Sequence, residues 1–504
     1  MSSRDERDIR IDGNSLTLED LKLVGQGLKK VILEEKAIAA MSAAHQVVLD
    51  VVEKGEPVYG VNTGFGKFSE VKISREELAQ LQVNLVRSHA CGVGSPLSSD
   101  IVRMVLVMKA NALAKGYSGC RPILAERLIE MYNAEVLPVI PAHGSVGASG
   151  DLAPLAHVAL VLLGEGEATF QGKCMTGGEA MKMAGIEPIA LGPKEGLSIL
   201  NGTQVSTALA VASWLRLDAL VKAGDVACAW TLEGVAGLTS AFDERIHIAR
   251  GHKGAILSAK RIRETVADSE ILVSEESKRR VQDPYAIRCA PQVHGSVRDI
   301  LVGTHDVLLV EINGVTDNPI VFTDNGEVIS GGNFHAEPVA FVSDQLSIAG
   351  TELSSISERR TFLLTDPQIS GLPAFLVKQG GLNSGFMIHQ VTQAALVSAN
   401  KTLAHPASVD SIPTSAGKED HVSMATWAGF KAYEIMERTT TVIAIEILAA
   451  AQAVDMRLPL QPSSEIGKLQ AQFREHVTVI ESDRIAYPDI EDARQWLLST
   501  LWND

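Results

Sequence analysis

A glycine-rich stretch near residue 150 contains the small residues that a reactive backbone turn needs. It reads Gly144-Ser-Val-Gly-Ala-Ser-Gly150 and is followed by Asp151. A compressed turn at Ala148-Ser149-Gly150 can press the amide nitrogen of Gly150 onto the carbonyl carbon of Ala148, because both residues are small. Loss of water from the new ring, and of water from Ser149, leaves a conjugated methylidene-imidazolone, which is an electrophile. The plainer alternative is a turn that enters a helix, whereas the spacing excludes a nucleophile elbow and a phosphate loop.

Five further segments, together with this turn, resemble the aromatic amino acid ammonia-lyase family. The segments are Tyr59-Gly-Val-Asn-Thr-Gly-Phe-Gly66, Lys194-Glu-Gly-Leu197 with Leu200-Asn-Gly-Thr-Gln204, Gln282-Asp-Pro-Tyr-Ala-Ile-Arg-Cys289, Gly331-Gly-Asn-Phe-His335 and Glu419-Asp-His-Val-Ser-Met424. The prosthetic group of that family is 4-methylideneimidazole-5-one (MIO). The resemblance therefore implies that Ala148, Ser149 and Gly150 form MIO autocatalytically, with no metal and no external cofactor.

The expected reaction, elimination of ammonia from an α-amino acid, needs a base, an electrophile and a clamp for the carboxylate. By the resemblance, Tyr59 is the expected base. Arg288 is the expected clamp, because its planar guanidinium can bind a carboxylate through two hydrogen bonds. Asn201 and Tyr285 are expected to hydrogen-bond beside MIO, and Gln282 and Phe334 to contact the substrate.

Two residues indicate which side chain the substrate carries. The resemblance places His89 and Glu419 beside the substrate ring, where phenylalanine-using relatives carry apolar residues and glutamine. Buried around a benzene ring, such polar groups would lack partners at a cost of ~1–3 kcal/mol each, whereas an imidazole satisfies them. We therefore expect ammonia elimination from L-histidine to give trans-urocanate, the first step of histidine degradation, with Glu419 counted among the catalytic residues. The alternatives are a tyrosine or phenylalanine ammonia-lyase or aminomutase, and a non-enzymatic scaffold.

Composition limits the partners and the location. The chain has 504 residues and a net charge of −16, which argues against a surface for nucleic acid or an anionic membrane. Its five cysteines form no C-x-x-C pair, and no stretch approaches the ~20 apolar residues of a membrane span. These features predict a cytoplasmic protein, and the resemblance implies that its partner is a small-molecule amino acid substrate.

The elements that position these residues are predicted to be mainly α-helical. Residues 1–205 form an expected N-terminal domain with mixed, loop-rich structure, which carries the MIO-forming turn and the tyrosine loop. Residues 206–504 form an expected long central helix bundle of the ammonia-lyase/fumarase-like type, because no proline occurs from Thr203 to Asp283 or from His421 to Arg457 and good helix formers dominate there. A small hairpin is predicted at 319–329. The resemblance further implies a homotetramer with shared active sites, in which Tyr59 faces the MIO of another subunit.

Overall fold

The structure is a computed structural model that describes residues 8–64, 66–68, 70–278 and 281–500, and the prediction of a mainly α fold is confirmed. Phe65, in the predicted tyrosine loop, lies outside the described residues. The helices are α1 Leu18–Gly25, α2 Glu35–Lys54, α3 Leu78–His89, α4 Ser99–Ala114, α5 Ile123–Asn133, α6 Leu152–Leu162, α7 Gly177–Ala184, α8 Glu195–Leu200, α9 Gln204–Gly234, α10 Glu244–Arg250, α11 Lys253–Thr265, α12 Glu275–Lys278, α13 Tyr285–Arg288, α14 Ala290–Ile312, α15 Glu337–Thr365, α16 Pro367–Ser370, α17 Met387–Leu403, α18 Ala425–Asp455, α19 Ser464–His476 and α20 Tyr487–Thr500.

The strands are short and form small separate sheets. They are β1 Ile9–Ile11, β2 Val31–Leu33, β3 Val93–Pro96, β4 Leu137–Pro138, β5 Pro141–His143, β6 Glu167–Phe170, β7 Lys173–Thr176, β8 Ile320–Phe322 and β9 Glu327–Ile329. Strands β1 and β2 pair in parallel, whereas the pairs β3–β5, β4–β6, β6–β7 and β8–β9 are antiparallel. The last pair is the hairpin predicted from the sequence, with Ile320 opposite Ile329.

The described chain divides into two compact units that alternate along the sequence. The first unit contains residues 1–212, 305–344 and 406–430, and the second contains 213–304, 345–405 and 431–504. The sequence predicted a single division between residues 205 and 206. The first unit in fact includes two later segments, and these carry Phe334 and Glu419.

Helix α4 forms much of the core of the first unit. From Ile101 to Ala114 nearly every residue of α4 is buried, including the polar Lys109 and Asn111. Asn111 donates from its side-chain amide to the carbonyl oxygen of Ile312 at 2.9 Å, which satisfies a buried polar group. A long charged residue in such a helix needs a specific partner, and Lys109 finds one beside the candidate site.

The second unit contains a helix that is buried on all its faces. In α18 the residues from Val442 to Val454 are almost all fully buried, as expected for a helix inside a bundle. Glu446 lies within this stretch and accepts two hydrogen bonds from Arg360, at 2.5 and 2.8 Å, with both side chains fully buried. Ser357 and Thr231 also donate to Glu446, so the buried carboxylate is fully satisfied. Among the described residues, no helix is both long and apolar enough to cross a bilayer.

Candidate active site

The turn at residues 144–150 is sharply bent, as its glycines predict. Gly147 and Gly150 have φ angles of 68° and 70°, in the left-handed region that favours glycine. A Cβ atom on Gly150 would lie 2.2 Å from the carbonyl oxygen of Gly202, so no other residue fits there. Gly150 pairs with Gly202 in a parallel bridge. This close approach holds Ala148, Ser149 and Gly150 against the segment that carries Asn201.

Asp151 anchors the end of this turn. Its side chain is fully buried, and one carboxylate oxygen accepts from the backbone amides of Val205 and Ser206 at 2.9 and 2.8 Å. These amides belong to the first turn of α9, where a carboxylate is stabilised by otherwise unpaired N–H groups. The other oxygen accepts from the Thr426 hydroxyl at 2.6 Å and the Ser145 hydroxyl at 3.2 Å. Two distant chain segments, the start of α9 and the region around Thr426, are thereby fixed to the turn.

Asn201 lies directly beside the turn. Its side-chain amide donates to the carbonyl oxygen of Ser149 at 2.8 Å, and its Oδ1 is buried with no hydrogen-bond partner among the described residues. The backbone carbonyl of Asn201 accepts from Nζ of Lys109 at 2.6 Å. Burial lowers the pKa of Lys109 to about 8, although the charge of Asp317 opposes this shift. The structure thus confirms the proximity of Asn201 to Ser149 and adds a buried lysine beneath it.

The lowered pKa of Lys109 predicts a distinct pH dependence of stability. An unfolded lysine titrates near ~10.4. Between pH 8 and ~10.4, Lys109 is protonated in the unfolded chain but largely deprotonated in the folded one. The free energy of unfolding of the wild type should therefore rise with pH, by up to about 3 kcal/mol relative to that of Lys109→Met. The measurement is the difference in thermal or urea stability between wild type and Lys109→Met at several pH values from 7.5 to 10. If the stabilities of the two proteins changed with pH in the same way, this would contradict a buried ammonium with a lowered pKa at position 109.

Glu419 lies at the end of a tight turn and reaches the serine of the candidate MIO segment. Its Oε1 accepts from the Ser149 hydroxyl at 2.7 Å, and its Oε2 accepts from the Thr414 hydroxyl at 2.6 Å. Residues 415, 416 and 417 have φ angles of 51°, 54° and 82°, and glycine at 417 suits this left-handed run. Burial raises the pKa of Glu419, but hydrogen bonds from Ser149, Thr414 and Ser415 and the charge of His89 outweigh it, so the pKa is lowered. Glu419 is therefore ionised at neutral pH.

These residues surround one cavity of about 1140 Å³ in the first unit. The predicted site residues that line it are Tyr59, His89, Ala148, Ser149, Asn201, Phe334 and Glu419. His89, at the end of α3, interacts through Nδ1 with the carbonyl oxygen of Leu85 at 2.8 Å. A carbonyl only accepts, so Nδ1 carries the proton and Nε2 is left as an acceptor when the ring is neutral. The structure thus brings together most of the predicted site.

Tyr59 is half-buried in this cavity, near Glu419. Burial raises the pKa of its phenol above the ordinary value, a hydrogen bond with the Gly66 backbone lowers it, and the negative charge of Glu419 raises it. Tyr59 is therefore protonated at neutral pH in this arrangement. Because Tyr59 and Ser149 line the same cavity of one chain, the expectation that Tyr59 faces the MIO of another subunit was wrong.

Gln282, Tyr285 and Arg288 lie elsewhere, in the second unit. They line a separate depression of about 540 Å³ together with Asp283, Pro284, Gln368 and Ile369. Arg288 donates from Nε to the carbonyl oxygen of Asp283 at 2.9 Å, and its guanidinium lies 4.4 Å from the centre of the exposed Tyr285 ring. None of these residues is among those that line the cavity around Ser149. Within the described chain, the predicted carboxylate clamp and the predicted electrophile therefore line different cavities.

Some residues of the site were not singled out from the sequence. Lys109 was one of them, although a single lysine inside the apolar run 101–114 is a detectable sign of a buried charge. Thr414 gave no such sign, because only the fold of its turn brings it to Glu419. His335, Glu337 and His421 also form a cluster whose ring nitrogens and carboxylate oxygen lie within 4.8 Å of one another.

This chain is similar to known proteins over nearly its whole length. Residues 16–476 match the family described as aromatic amino acid lyase. A histidine ammonia-lyase of Paracidovorax citrulli is 51% identical over 487 residues, which are 97% of this chain and 95% of the relative. The solved structure of histidine ammonia-lyase from Trypanosoma cruzi has 40% identity and a TM-score of 0.91, covering 99% of this chain and 94% of that chain. A tyrosine aminomutase structure from Streptomyces globisporus has 34% identity and a TM-score of 0.94, covering 99% and 98%.

Proposed function

The chain belongs to the aromatic amino acid lyase family, and we propose that it removes ammonia from L-histidine to give trans-urocanate, the first step of histidine degradation. Its activity is that of a carbon–nitrogen lyase. The curated relative that is 51% identical over almost the whole chain carries the name of this activity. All five cysteines, which lie among the described residues, are free thiols, in keeping with a proposed location in the reducing cytoplasm.

The observation that carries the proposal is the position of Glu419. Its ionised carboxylate contacts Ser149 at 2.7 Å in the same cavity that His89 lines. An imidazole ring has two nitrogens that must find partners when buried, one as donor and one as acceptor in the neutral form. In the protonated ring both nitrogens donate, and the carboxylate of Glu419 and the Nε2 acceptor of His89 offer a place for each N–H, whereas a benzene ring supplies neither group with a donor. The polarity of the cavity therefore favours an imidazole substrate.

We propose that Ala148, Ser149 and Gly150 form the MIO group. The Gly150 nitrogen attacks the Ala148 carbonyl carbon, one water leaves as the ring forms, and a second water leaves with the Ser149 hydroxyl. The residues fit this group, because Gly150 lies in a space that a Cβ would fill and Asn201 donates to the Ser149 carbonyl. When formed, MIO supplies an electrophile that converts the substrate amino group into a leaving group.

The remaining steps fall to side chains of this chain. The buried, unpartnered Oδ1 of Asn201 is an acceptor for an N–H of the substrate amino group. The Tyr59 oxygen accepts the proton from the β carbon of the substrate, which requires its raised pKa to fall. A positive charge brought near the phenol, or loss of the negative charge on Glu419, would lower it. The cavity residues that hold the substrate thus also tune the base.

The clamp for the substrate carboxylate is proposed to come from a second copy of the chain. Arg288, with Tyr285 and Gln282 beside it, lies in a depression on the second unit rather than in the cavity around Ser149. A guanidinium in a partly exposed depression can bind a carboxylate through two hydrogen bonds. We therefore propose a homotetramer in which each active site combines Ser149 and Tyr59 of one chain with Arg288 of another.

The test of substrate choice is Glu419→Gln, which keeps the shape of the side chain and removes its charge. Loss of one charge-assisted hydrogen bond is worth ~1.5–3 kcal/mol, so kcat/KM for L-histidine should fall by about one to two decades. The residual kcat/KM for L-phenylalanine should not fall, since its ring offers no donor. The measurement is the ratio of the two values in wild type and variant.

The matched control is Glu135→Gln, which removes a carboxylate paired with Arg103 outside the cavity lining. It should leave the histidine-to-phenylalanine ratio as it is in the wild type. The same ratio in wild type and Glu419→Gln would show that Glu419 does not recognise the ring. A wild-type kcat/KM that is higher for L-tyrosine than for L-histidine would favour the tyrosine-using alternative.

A further inference from the structure

His335, Glu337 and His421 form a cluster of possible metal ligands on the wall of the cavity. His335 precedes helix α15, Glu337 is the first residue of α15, and His421 precedes α18. The rings of His335 and His421 stack with their centres 5.9 Å apart and their planes only 7° from parallel. One ligand atom from each of the three residues lies within 4.8 Å of the others. The chain thus brings two imidazoles and one carboxylate close together.

The hydrogen bonding of His335 leaves two electron-rich atoms facing each other. Its Nε2 lies 3.2 Å from the backbone carbonyl of His421, which only accepts, so Nε2 carries the proton. In the neutral ring, Nδ1 then has a lone pair, and it faces Oε2 of Glu337 at 3.9 Å. That distance is too long for a hydrogen bond. Histidines that bind a metal through one ring nitrogen usually donate the N–H of the other nitrogen to an acceptor such as a backbone carbonyl, as His335 does.

The carboxylate of Glu337 provides a second, independent sign. Its Oε2 is buried and has no hydrogen-bond partner among the described residues. A buried, unsatisfied carboxylate oxygen carries a large free-energy cost unless a donor or cation balances it. A cation between Glu337 and His335 would satisfy both atoms at once.

We propose that His335, Glu337 and His421 bind one Zn²⁺ ion per chain. Two imidazoles and a carboxylate suit Zn²⁺, whereas Mg²⁺ and Ca²⁺ prefer sites made of oxygen alone. Ligand atoms of a tetrahedral zinc site lie about 3.3 Å apart, given bonds of about 2.0–2.1 Å, so a small inward rotation of the side chains completes the site. Because His335 and His421 line the cavity, the fourth coordination position is open to water within it.

This site was not expected from the sequence, which predicted no metal. In the sequence, His421 follows His335 and Glu337 by more than eighty positions, and the two histidines are 86 positions apart. The proposal does not depend on which amino acid the enzyme uses. The established lyase chemistry of the family would proceed at Ser149 whether or not the zinc site exists.

The test is metal binding to the full-length protein after treatment with a chelator. Calorimetric titration should give one Zn²⁺ per chain with a dissociation constant in the micromolar range or tighter, and Co²⁺ should give the absorption bands of a tetrahedral complex. Glu337→Gln and His421→Ala should each weaken Zn²⁺ binding at least tenfold. Mutation of a residue that only hydrogen-bonds to a metal ligand already weakens metal binding by about that factor. His252→Ala removes an exposed histidine near Asp299 and should leave the affinity unchanged.

Two outcomes would overturn the proposal. One is the absence of a one-to-one binding event in the wild type, and the other is an affinity in Glu337→Gln equal to that of the wild type. Thermal melting and circular dichroism of each variant identify any loss of folding. Should His421→Ala fail to fold, Glu337→Gln, which keeps the shape of the side chain, carries the test alone.

Discussion

Replacing Ser149 with alanine is expected to abolish nearly all activity and to leave the fold intact. Alanine has no hydroxyl to lose as water, so the conjugated methylidene cannot form. We expect kcat/KM for L-histidine to fall by on the order of a thousandfold or more, at least the scale on which loss of one preorganised catalytic group acts. The fold should survive, because Ser149 loses only its charge-assisted hydrogen bond to Glu419, worth ~1.5–3 kcal/mol.

Intact-protein mass spectrometry provides the direct measurement. The wild type should lack the mass of two water molecules relative to its sequence, and Ser149→Ala should lack at most one. The control is Ser296→Ala, which removes a serine hydroxyl on an exposed helix face that donates only within its own helix. Turnover by Ser149→Ala at the wild-type rate would refute the assignment of the electrophile.

The second large effect is expected when two inactive variants are produced together. Arg288→Ala should lose about two to four decades of kcat/KM, because a bidentate carboxylate contact contains two charge-assisted hydrogen bonds of ~1.5–3 kcal/mol each. Ser149→Ala is inactive for a different reason. If each site takes Ser149 from one chain and Arg288 from another, random mixed oligomers should regain about a quarter of wild-type activity.

A different pair of variants controls this experiment. Tyr59 and Ser149 line one cavity of the same chain, so Tyr59→Phe and Ser149→Ala produced together should regain no activity. Recovery in that pair, or none in the pair of Ser149→Ala and Arg288→Ala, would contradict the proposed sharing of sites. Size-exclusion chromatography of each mixture shows whether the oligomer has formed.

Local features of the fold could be predicted from the sequence. The hairpin at 319–329 was predicted from apolar residues flanking an Asp-Asn-Gly turn, and strands β8 and β9 confirm it. The apolar, proline-free stretch 421–457 predicted a buried helix, and α18 occupies Ala425–Asp455. Both predictions rely on patterns within a few residues, where backbone preference and burial agree.

Convergence of distant segments could not be predicted in the same way. Ser149 and Glu419 are 270 residues apart, and only the resemblance to a family linked them before the structure did. The partner of Lys109 is a backbone carbonyl, which leaves no trace in the residue types. The sequence likewise gave no reason for Tyr59 and Arg288 to line different cavities, since that depends on packing rather than on spacing.

The contact between Asp151 and Thr426 has a consequence for protein synthesis. These two residues are 275 positions apart, and Ser423, which donates to the Gly147 carbonyl, is 276 positions from its partner. A ribosome that has just translated the glycine-rich turn has therefore not yet made the residues that hold it. Because Ser423 and Thr426 are translated last among the residues that hold the turn, we expect a chain that terminates before them to lack the complete electrophile-forming site.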